Sequence, residues 1–252
     1  MAFGLTSAAV TEFASQAFIR NAVTKPRSPI SVLSFFYGVD YEDPMSPSIL
    51  KKGSFANDMG KFWFGGHEDY DKLCKPFSPV IREAGRYELV GDNWQACIDG
   101  NMAQLILTDQ LSRNAFRGSD EAFQYDGVAL SIARELFEVA LSSSSPSSSG
   151  NVALEGELYG PYASNIVIAL MHSESLLDHD KCLEMVDWGN AECPGMNEFL
   201  SYQRIAALEH KEVIERFGRY PHRNTKMGRE NTPEETKWLA SDDVPGWAKS
   251  QV

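Results

Sequence analysis

The sequence lacks a hydrophobic run long enough to cross a membrane. Even the apolar residues 166–171 are soon followed by His172 and Glu174, whereas a membrane helix needs about 20 mainly apolar residues. It also lacks the paired or dense cysteine spacing of secreted disulfide scaffolds and zinc sites, since its 4 cysteines lie far apart. We therefore expect a cytoplasmic protein with free thiols, no metal site and no membrane segment.

Positive charge is scarce. The chain has 23 Lys and Arg residues against 35 Asp and Glu residues, which gives a formal net charge of -12. Such a charge repels nucleic-acid phosphates, so we expect no nucleic-acid partner. Glycine-rich nucleotide loops, the nucleophile elbow and the HExxH zinc motif are absent too. We therefore predict no cofactor, and function must depend on local polar motifs.

Helical periodicity is the main structural signal. Apolar residues recur every three or four positions over residues 128–140 and 197–217, as expected for helices that bury one face. Gly218 stands where a helix C-terminus favours glycine, and Thr232 is a typical N-cap. We predict an all-α fold in which residues 29–252 form one compact helical domain.

Two segments differ from this pattern. Residues 1–28 are rich in Ala, Ser and Thr with few acids. They predict either a first amphipathic helix over residues 6–22 or a transit segment for import into an organelle. Residues 142–150 contain only Ser, Pro and Gly, which predicts a disordered surface loop inserted within one domain. A linker between two domains is the alternative.

The first polar motif covers residues 109–118. On a helix, Arg113 and Arg117 share one face, and Asp109 lies one turn earlier, where it can pair with Arg113. Asn114 adds an amide to the same motif. Two neighbouring guanidinium groups repel each other unless an anion neutralises them. That anion is either part of a ligand or a set of protein carboxylates, and the motif alone leaves both interpretations open.

The second motif is His172-Ser173-Glu174, directly after an apolar run. An imidazole titrates near neutral pH, so a histidine near a carboxylate is a candidate acid/base group. We predict that His172 and Glu174 act in this way, with Glu174 orienting the ring. A structural, hydrogen-bonded histidine is the alternative.

The third motif, residues 216–224, concentrates cations in an acidic protein. It supplies the candidate ligand-binding residues Arg216, Arg219, Arg223 and Asn224, and a second candidate acid/base residue, His222. A glycine and a proline between them shape the turn, a composition typical of anion-binding loops. A solvated basic face that pairs with acids elsewhere in the chain is the alternative.

A family resemblance rests on these motifs. Their order and spacing, together with residues 32–38 and 63–65, resemble the family known as domain of unknown function 924, over about residues 30–240. This chain has Ser112 where the family usually has proline, and it lacks the proline that the family usually has near Ala169. The resemblance implies an all-helical fold similar to tetratricopeptide-like domains, and it implies no established activity.

Two functions remain open at this point. In the first, the motifs meet in a pocket of an enzyme or binding protein, where the arginines hold an anionic small molecule and His172 or His222 serves as acid/base. In the second, the same residues form a structural ion-pair network in a helical module that binds a protein partner. If the three motifs lie around one concave cavity, the first function is favoured. If their charged groups are all paired with one another or with other protein groups, the second is favoured.

Overall fold

Helices make up the regular structure of the residues that the computed structural model describes, 4–143 and 154–249. Within these ranges no strand occurs, apart from an isolated bridge between Cys97 and Glu155. The predicted all-α class is confirmed, and the tetratricopeptide-like arrangement stays a prediction. None of the described helices combines the length and apolar character that crossing a membrane requires.

The α-helices are named in chain order. They are α1 (Ser7–Ser15), α2 (Ala17–Thr24), α3 (Pro29–Tyr37), α4 (Ser46–Lys52), α5 (Ala56–Phe64), α6 (Glu68–Cys74), α7 (Ser78–Gly85), α8 (Asp92–Gln95), α9 (Ile98–Leu105), α10 (Ser112–Ala115), α11 (Asp126–Ser143), α12 (Gly160–Met171), α13 (Leu176–Glu192), α14 (Asn197–Phe217), α15 (Pro233–Leu239) and α16 (Gly246–Lys249). A π-helix, Ile106–Leu111, connects α9 to α10.

Two buried helical segments form the centre of the core. Every residue of α12 is buried, and so is every residue of the π-helix that continues α9. α12 packs against α11, α13 and α14, while α9 packs against α3 and α11. Polar groups stand near the C-terminal end of each segment, with Asp109 and Gln110 in the π-helix and His172 directly after α12. Those ends carry the first and second polar motifs.

The N-terminal region is helical, but it is not the single helix predicted over residues 6–22. α1 and α2 are separate helices, because Gln16 between them has extended backbone angles of φ -66° and ψ 137°. Val10, Phe13 and Ile19 nevertheless belong to the main hydrophobic core. Whether residues 1–28 act in targeting stays a prediction.

The helix before the serine-rich segment is longer than predicted. α11 continues to Ser143, so the prediction of a loop from residue 142 is wrong at its first two positions. Serine tolerates a helix end, where its backbone groups can still join the last turn. Residues 144–150 of the predicted loop lie outside the described residues. α11 and α12, on either side, pack against each other.

Two helix termini have the predicted caps. α14 ends at Gly218 in the left-handed conformation, with φ 67°, which glycine adopts without strain. α15 begins with a capping box in which Thr232 and Glu235 satisfy each other's backbone N–H groups. Between these caps lies the third polar motif. A small second cluster that includes Tyr220 and Trp238 packs this end of the molecule.

Candidate functional site

Residues of all three polar motifs lie close together near the C-terminal end of α12. His172 comes directly after α12, and Asp109 lies in the π-helix. Arg113 lies in α10, which continues the π-helix. The short 3-10 turn Pro221–Arg223 follows α14. Its Arg223 donates a hydrogen bond from NH1 to the carbonyl oxygen of His172 at 2.9 Å, which joins the second motif to the third.

Ser112 shapes the turn that carries Asp109. Its backbone N–H donates to the Leu107 carbonyl, five residues earlier, and its hydroxyl donates to the Thr108 carbonyl at 2.9 Å. A proline at this position would have no N–H or hydroxyl and would make neither bond. π-helical turns are rare and frequently occur at functional sites. In this chain, Ser112 therefore stabilises the wide turn beneath Asp109.

Asp109 and His172 form a buried pair. Oδ1 of Asp109 lies 2.6 Å from Nδ1 of His172, while the Gln110 amide donates to the other carboxylate oxygen and Arg113 lies 3.7 Å away. Burial raises the pKa of the Asp109 carboxyl, but His172, Arg113 and Gln110 outweigh it and hold the pKa at about 2. The carboxylate is therefore ionised and can only accept, so the Nδ1 proton lies on the imidazole.

Arg113 and Arg223 share one carboxylate. NH2 of Arg113 lies 2.7 Å from one oxygen of Asp126, and NH1 of Arg223 lies 3.5 Å from the other. The Arg113 guanidinium also stacks on Phe123 at 4.6 Å, a favourable cation–π arrangement. The predicted pairing of Arg113 with Asp109 is present at longer range, and Asp126 is a partner that the motif did not reveal.

Arg117 and Asn114 share a second carboxylate. Asp71 accepts two hydrogen bonds from Arg117, at 2.6 and 3.1 Å, and one from the Asn114 amide at 2.9 Å. Asp71 is buried, whereas half of the Arg117 side chain is exposed. Arg117 therefore combines a buried partner with a half-exposed side chain.

His222 has different chemistry from His172. Burial, together with Arg223 and His172, lowers the pKa of the His222 imidazole to about 3. The ring is therefore neutral at physiological pH and cannot serve as an imidazolium acid there. Its Nδ1 atom is buried and has no hydrogen-bond partner among the described residues. Of the two predicted acid/base histidines, His172 is the better placed.

Glu174 does not orient His172, so that expectation is wrong. The Glu174 carboxylate accepts hydrogen bonds from Arg229 at 2.7 and 2.8 Å and from the backbone N–H of Tyr220 at 2.8 Å. Residues two positions apart do not face each other at a helix end. Asp109, from a distant segment, takes the orienting position instead.

Three residues of the third motif, two in ion pairs and one in a hydrogen bond, bind partners away from the first two motifs. Arg219 binds Glu235 through two hydrogen bonds of 2.7 and 2.8 Å, and Asn224 donates to the same carboxylate at 3.3 Å. Arg216 pairs with Glu234 at 3.0 Å on the surface. These predicted ligand-binding residues therefore hold the chain after α14 against α15, and neither described cavity includes them.

A cavity of about 720 Å³ opens beside the remaining residues of the three motifs. Its positively charged lining residues are Arg113, Arg117, Arg223 and Lys226, and its histidines are His172, His210 and His222. Its aromatic lining residues are Trp63, Phe64, Phe123, Phe199, Tyr202 and Trp247. None of the described residues that line it is acidic. We refer to it below as the aromatic cavity.

A second cavity, of about 730 Å³, adjoins the first. The two share Phe123, His172, His222, Arg223 and Lys226 in their linings. The second cavity, in contrast, also exposes the carboxylates of Asp120, Glu121, Asp126 and Glu174. His172 therefore stands between a cationic, aromatic chamber and a more acidic one.

Many residues that line the aromatic cavity lie outside the three polar motifs. Trp63 and Phe64 were visible as part of an aromatic motif, and Phe199 as part of the apolar stripe of α14, but no local signal placed them at the site. His210 lies in α14 with its ring stacked on Trp247, with centroids 3.6 Å apart. Only the packing of α16 brings Trp247 there.

A low pH is expected to destabilise the folded protein, because it protonates the carboxylates of Asp109 and Glu235. The pKa values of Asp109 and Glu235 are about 2 in the folded protein, below the roughly 4 of unfolded chains. Their stabilising effect is therefore complete above about pH 4 and is lost as the pH falls toward about 2. Urea unfolding at a series of pH values should show midpoints that fall steadily below about pH 4. A midpoint that stays constant or rises would contradict the two ion pairs.

Comparisons with known proteins agree with the fold. Residues 35–243 match the family described as bacterial protein of unknown function, DUF924. The chain is also similar to a solved protein of unknown function from Agrobacterium tumefaciens, with a TM-score of 0.54 and 24% sequence identity over 75% of this chain and 98% of that one. At this identity the likeness bears on the fold alone. No curated protein matches the chain.

Proposed function

The chain belongs to the DUF924 family, and we propose that it binds a small organic anion with an aromatic or other apolar body in the aromatic cavity. The observation that carries this proposal is the lining itself, with four cations and no described acid in a protein of net charge -12. A cluster of cations in an acidic protein is a local field that attracts an anion.

The acids that pair with Arg117 and Arg113 lie outside the lining of the aromatic cavity. Asp71 and Asp109 neutralise Arg117 and Arg113 in part, but neither acid lines the aromatic cavity. Asp126, which lies between Arg113 and Arg223, belongs to the lining of the second cavity. A ligand in the aromatic cavity therefore meets N–H donors rather than carboxylates, and guanidinium groups suit carboxylate, sulfonate or phosphate oxygens.

The remaining lining favours an apolar body on the same ligand. Trp63, Phe64, Phe199 and Trp247 offer aromatic surfaces, which gain free energy when they are removed from water. A volume of about 720 Å³ lies within the roughly 300–1,000 Å³ typical of small-molecule pockets. Charge and apolar surface together predict an amphiphilic anion rather than inorganic phosphate.

A helical interaction module is the second candidate. Tyr202, Ile205 and Leu208 are 44%, 57% and 50% exposed on α14, and three or four residues separate neighbours on one helix face. Such a strip suits the groove of a protein partner. The ion pairs that Arg219 and Arg229 form with Glu235 and Glu174 are structural contacts, which also suits this candidate. Failure of every small anion to bind would favour this candidate.

A matched ligand pair tests the first candidate. We expect 2-naphthoate to bind at least about 10-fold more tightly than neutral 2-naphthamide, because a hydrogen bond to a charged group contributes about 1.5–3 kcal/mol. Arg117→Gln should weaken naphthoate binding about 10-fold and leave amide binding unchanged. Isothermal titration calorimetry measures both affinities.

Arg216→Gln is the control for this experiment. The Arg216 and Arg117 side chains are 49% and 50% exposed, and each pairs with one carboxylate, but Arg216 lies outside the cavity. The control should bind naphthoate like the unaltered protein. Equal affinities for the acid and the amide, or equal losses in the two variants, would contradict the proposal.

A further inference from the structure

We propose that His172 is a general base that activates water to hydrolyse an ester of the bound organic anion, with Asp109 as its positioning residue. The inference rests on the proposed function, because its substrate is an anion held in the aromatic cavity. It adds a reaction class to that function, and it assigns different roles to two residues of different motifs.

The geometry around His172 leaves one ring nitrogen for chemistry. Nδ1 donates to the Asp109 carboxylate at 2.6 Å, so the neutral ring has its lone pair on Nε2. Nε2 makes no hydrogen bond to any described residue, and the His172 side chain is 16% exposed while lining both cavities. A ring fixed on one side and accessible on the other has the arrangement of a general base.

The carboxylate behind the ring is itself held in place. Asp109 is 1% exposed, Gln110 donates to its second oxygen and Arg113 lies 3.7 Å away. These contacts prevent the carboxylate from rotating away from Nδ1. Asp109 therefore fixes the tautomer and the direction of the imidazole, and it stabilises the imidazolium that forms when Nε2 takes a proton.

The nucleophile is water rather than a side chain. The described lining of the aromatic cavity contains no Ser, Thr or Cys. In the second cavity Ser173 is 7% exposed, and its hydroxyl already donates to Asp178 at 2.6 Å. A hydroxyl engaged with a carboxylate in this way does not face Nε2 as the Ser of a catalytic triad does. Water that enters either cavity can reach His172.

The reaction balances with water as the second substrate. The water oxygen attacks the ester carbonyl carbon while Nε2 takes one of its protons, and the carbonyl oxygen becomes an oxyanion. The cations of Arg113 and Arg223, on either side of Asp126, stabilise this negative charge. The carbon–oxygen bond to the leaving group then breaks, and the imidazolium returns the proton to the departing oxygen. The products are a carboxylic acid and an alcohol.

An anionic fluorogenic ester tests this inference. The probe is 6-acetoxy-2-naphthoate, which carries the carboxylate of the binding ligand and releases fluorescent 6-hydroxy-2-naphthoate. We expect turnover above the buffer rate, and little turnover of its neutral methyl ester. His172→Gln should lower kcat about 100-fold or more, with KM and 2-naphthoate affinity unchanged. His67→Gln, a histidine that lines neither described cavity, should keep full kcat.

Asp109→Asn tests the positioning role. It should lower kcat with KM unchanged, at a temperature where circular dichroism shows the variant folded. If this variant does not fold, the nitrogen-15 chemical shifts of His172 in the unaltered protein replace it, since they report which ring nitrogen carries the proton. A proton on Nε2 instead of Nδ1 in the neutral ring would overturn the role of Asp109.

The outcomes separate the two proposals. If 2-naphthoate binds but the ester is not hydrolysed, or if His172→Gln retains the full kcat, the hydrolytic inference is wrong and the binding function stands. If 2-naphthoate does not bind at all, the proposed function fails and the inference fails with it. Loss of kcat in His172→Gln with naphthoate binding intact supports both.

Discussion

Replacing Asp109 by alanine is expected to lower the free energy of unfolding by about 3–5 kcal/mol, the usual cost of removing one partner from a buried ionic group. The substitution leaves Nδ1 of His172 and the Gln110 amide without their acceptor and Arg113 without one of its two carboxylates. Because a domain is stable by only about 5–15 kcal/mol, this loss is a large fraction of the total. Urea unfolding at neutral pH measures it.

Asp120→Ala is the control for this substitution. Asp120 is an exposed acid that lines the second cavity, so its replacement should change the free energy of unfolding by at most about 0.5 kcal/mol. Asp109→Asn separates charge from shape, since it keeps the volume of the side chain. A cost below about 1 kcal/mol for Asp109→Ala would show that the pair with His172 is not a buried ionic contact.

Glu235→Ala is expected to have the second-largest effect, about 3 kcal/mol of the free energy of unfolding. Glu235 is 2% exposed. Its carboxylate accepts two hydrogen bonds from Arg219 and one from the Thr232 backbone N–H at 2.7 Å. Removing the carboxylate leaves these donors without an acceptor and disrupts the capping box that begins α15. The same contacts, Arg219 first, hold the pKa of Glu235 at about 2.

The neighbouring Glu234→Ala is the matched control. Glu234 lies one position earlier in α15 and pairs with an arginine of the same motif, Arg216, at 3.0 Å, but its side chain is 61% exposed. Exposed pairs contribute about 0.2–1 kcal/mol, so the control should stay near the unaltered protein. Similar losses in Glu234→Ala and Glu235→Ala would mean that burial does not distinguish the two ion pairs.

Local signals were sufficient for several elements. The bounds 197–217 follow from an apolar stripe and a glycine at the helix end, and α14 has those bounds with Gly218 at φ 67°. Thr232 likewise predicted the start of α15. Caps and amphipathic spacing depend on residues within one or two helical turns, so a single sequence contains them.

Elements that depend on distant contacts were harder to predict. The apolar spacing of residues 6–22 suits one helix, yet the helix is interrupted at Gln16. The two parts have different partners, because α1 packs against α6 while α2 packs against α3. The site shows the same limit. His172 was identified as an acid/base candidate, but its carboxylate comes from Asp109, 63 positions away, and the nearby Glu174 binds Arg229.

The sequence by itself determined the helical class, the ends of α14 and the start of α15, and the residue types from which a site for an anion could be built. These properties follow from periodicity, caps and charge, which neighbouring residues share along the chain. Only the tertiary structure decided which cations line the aromatic cavity and which form ion pairs outside it. Arg117 and Arg223 line the cavity, whereas Arg216 and Arg219 pair with carboxylates elsewhere. All four are arginines in similar motifs. Their burial and partners are set by helices far apart in sequence, and these contacts exist only once the core has packed.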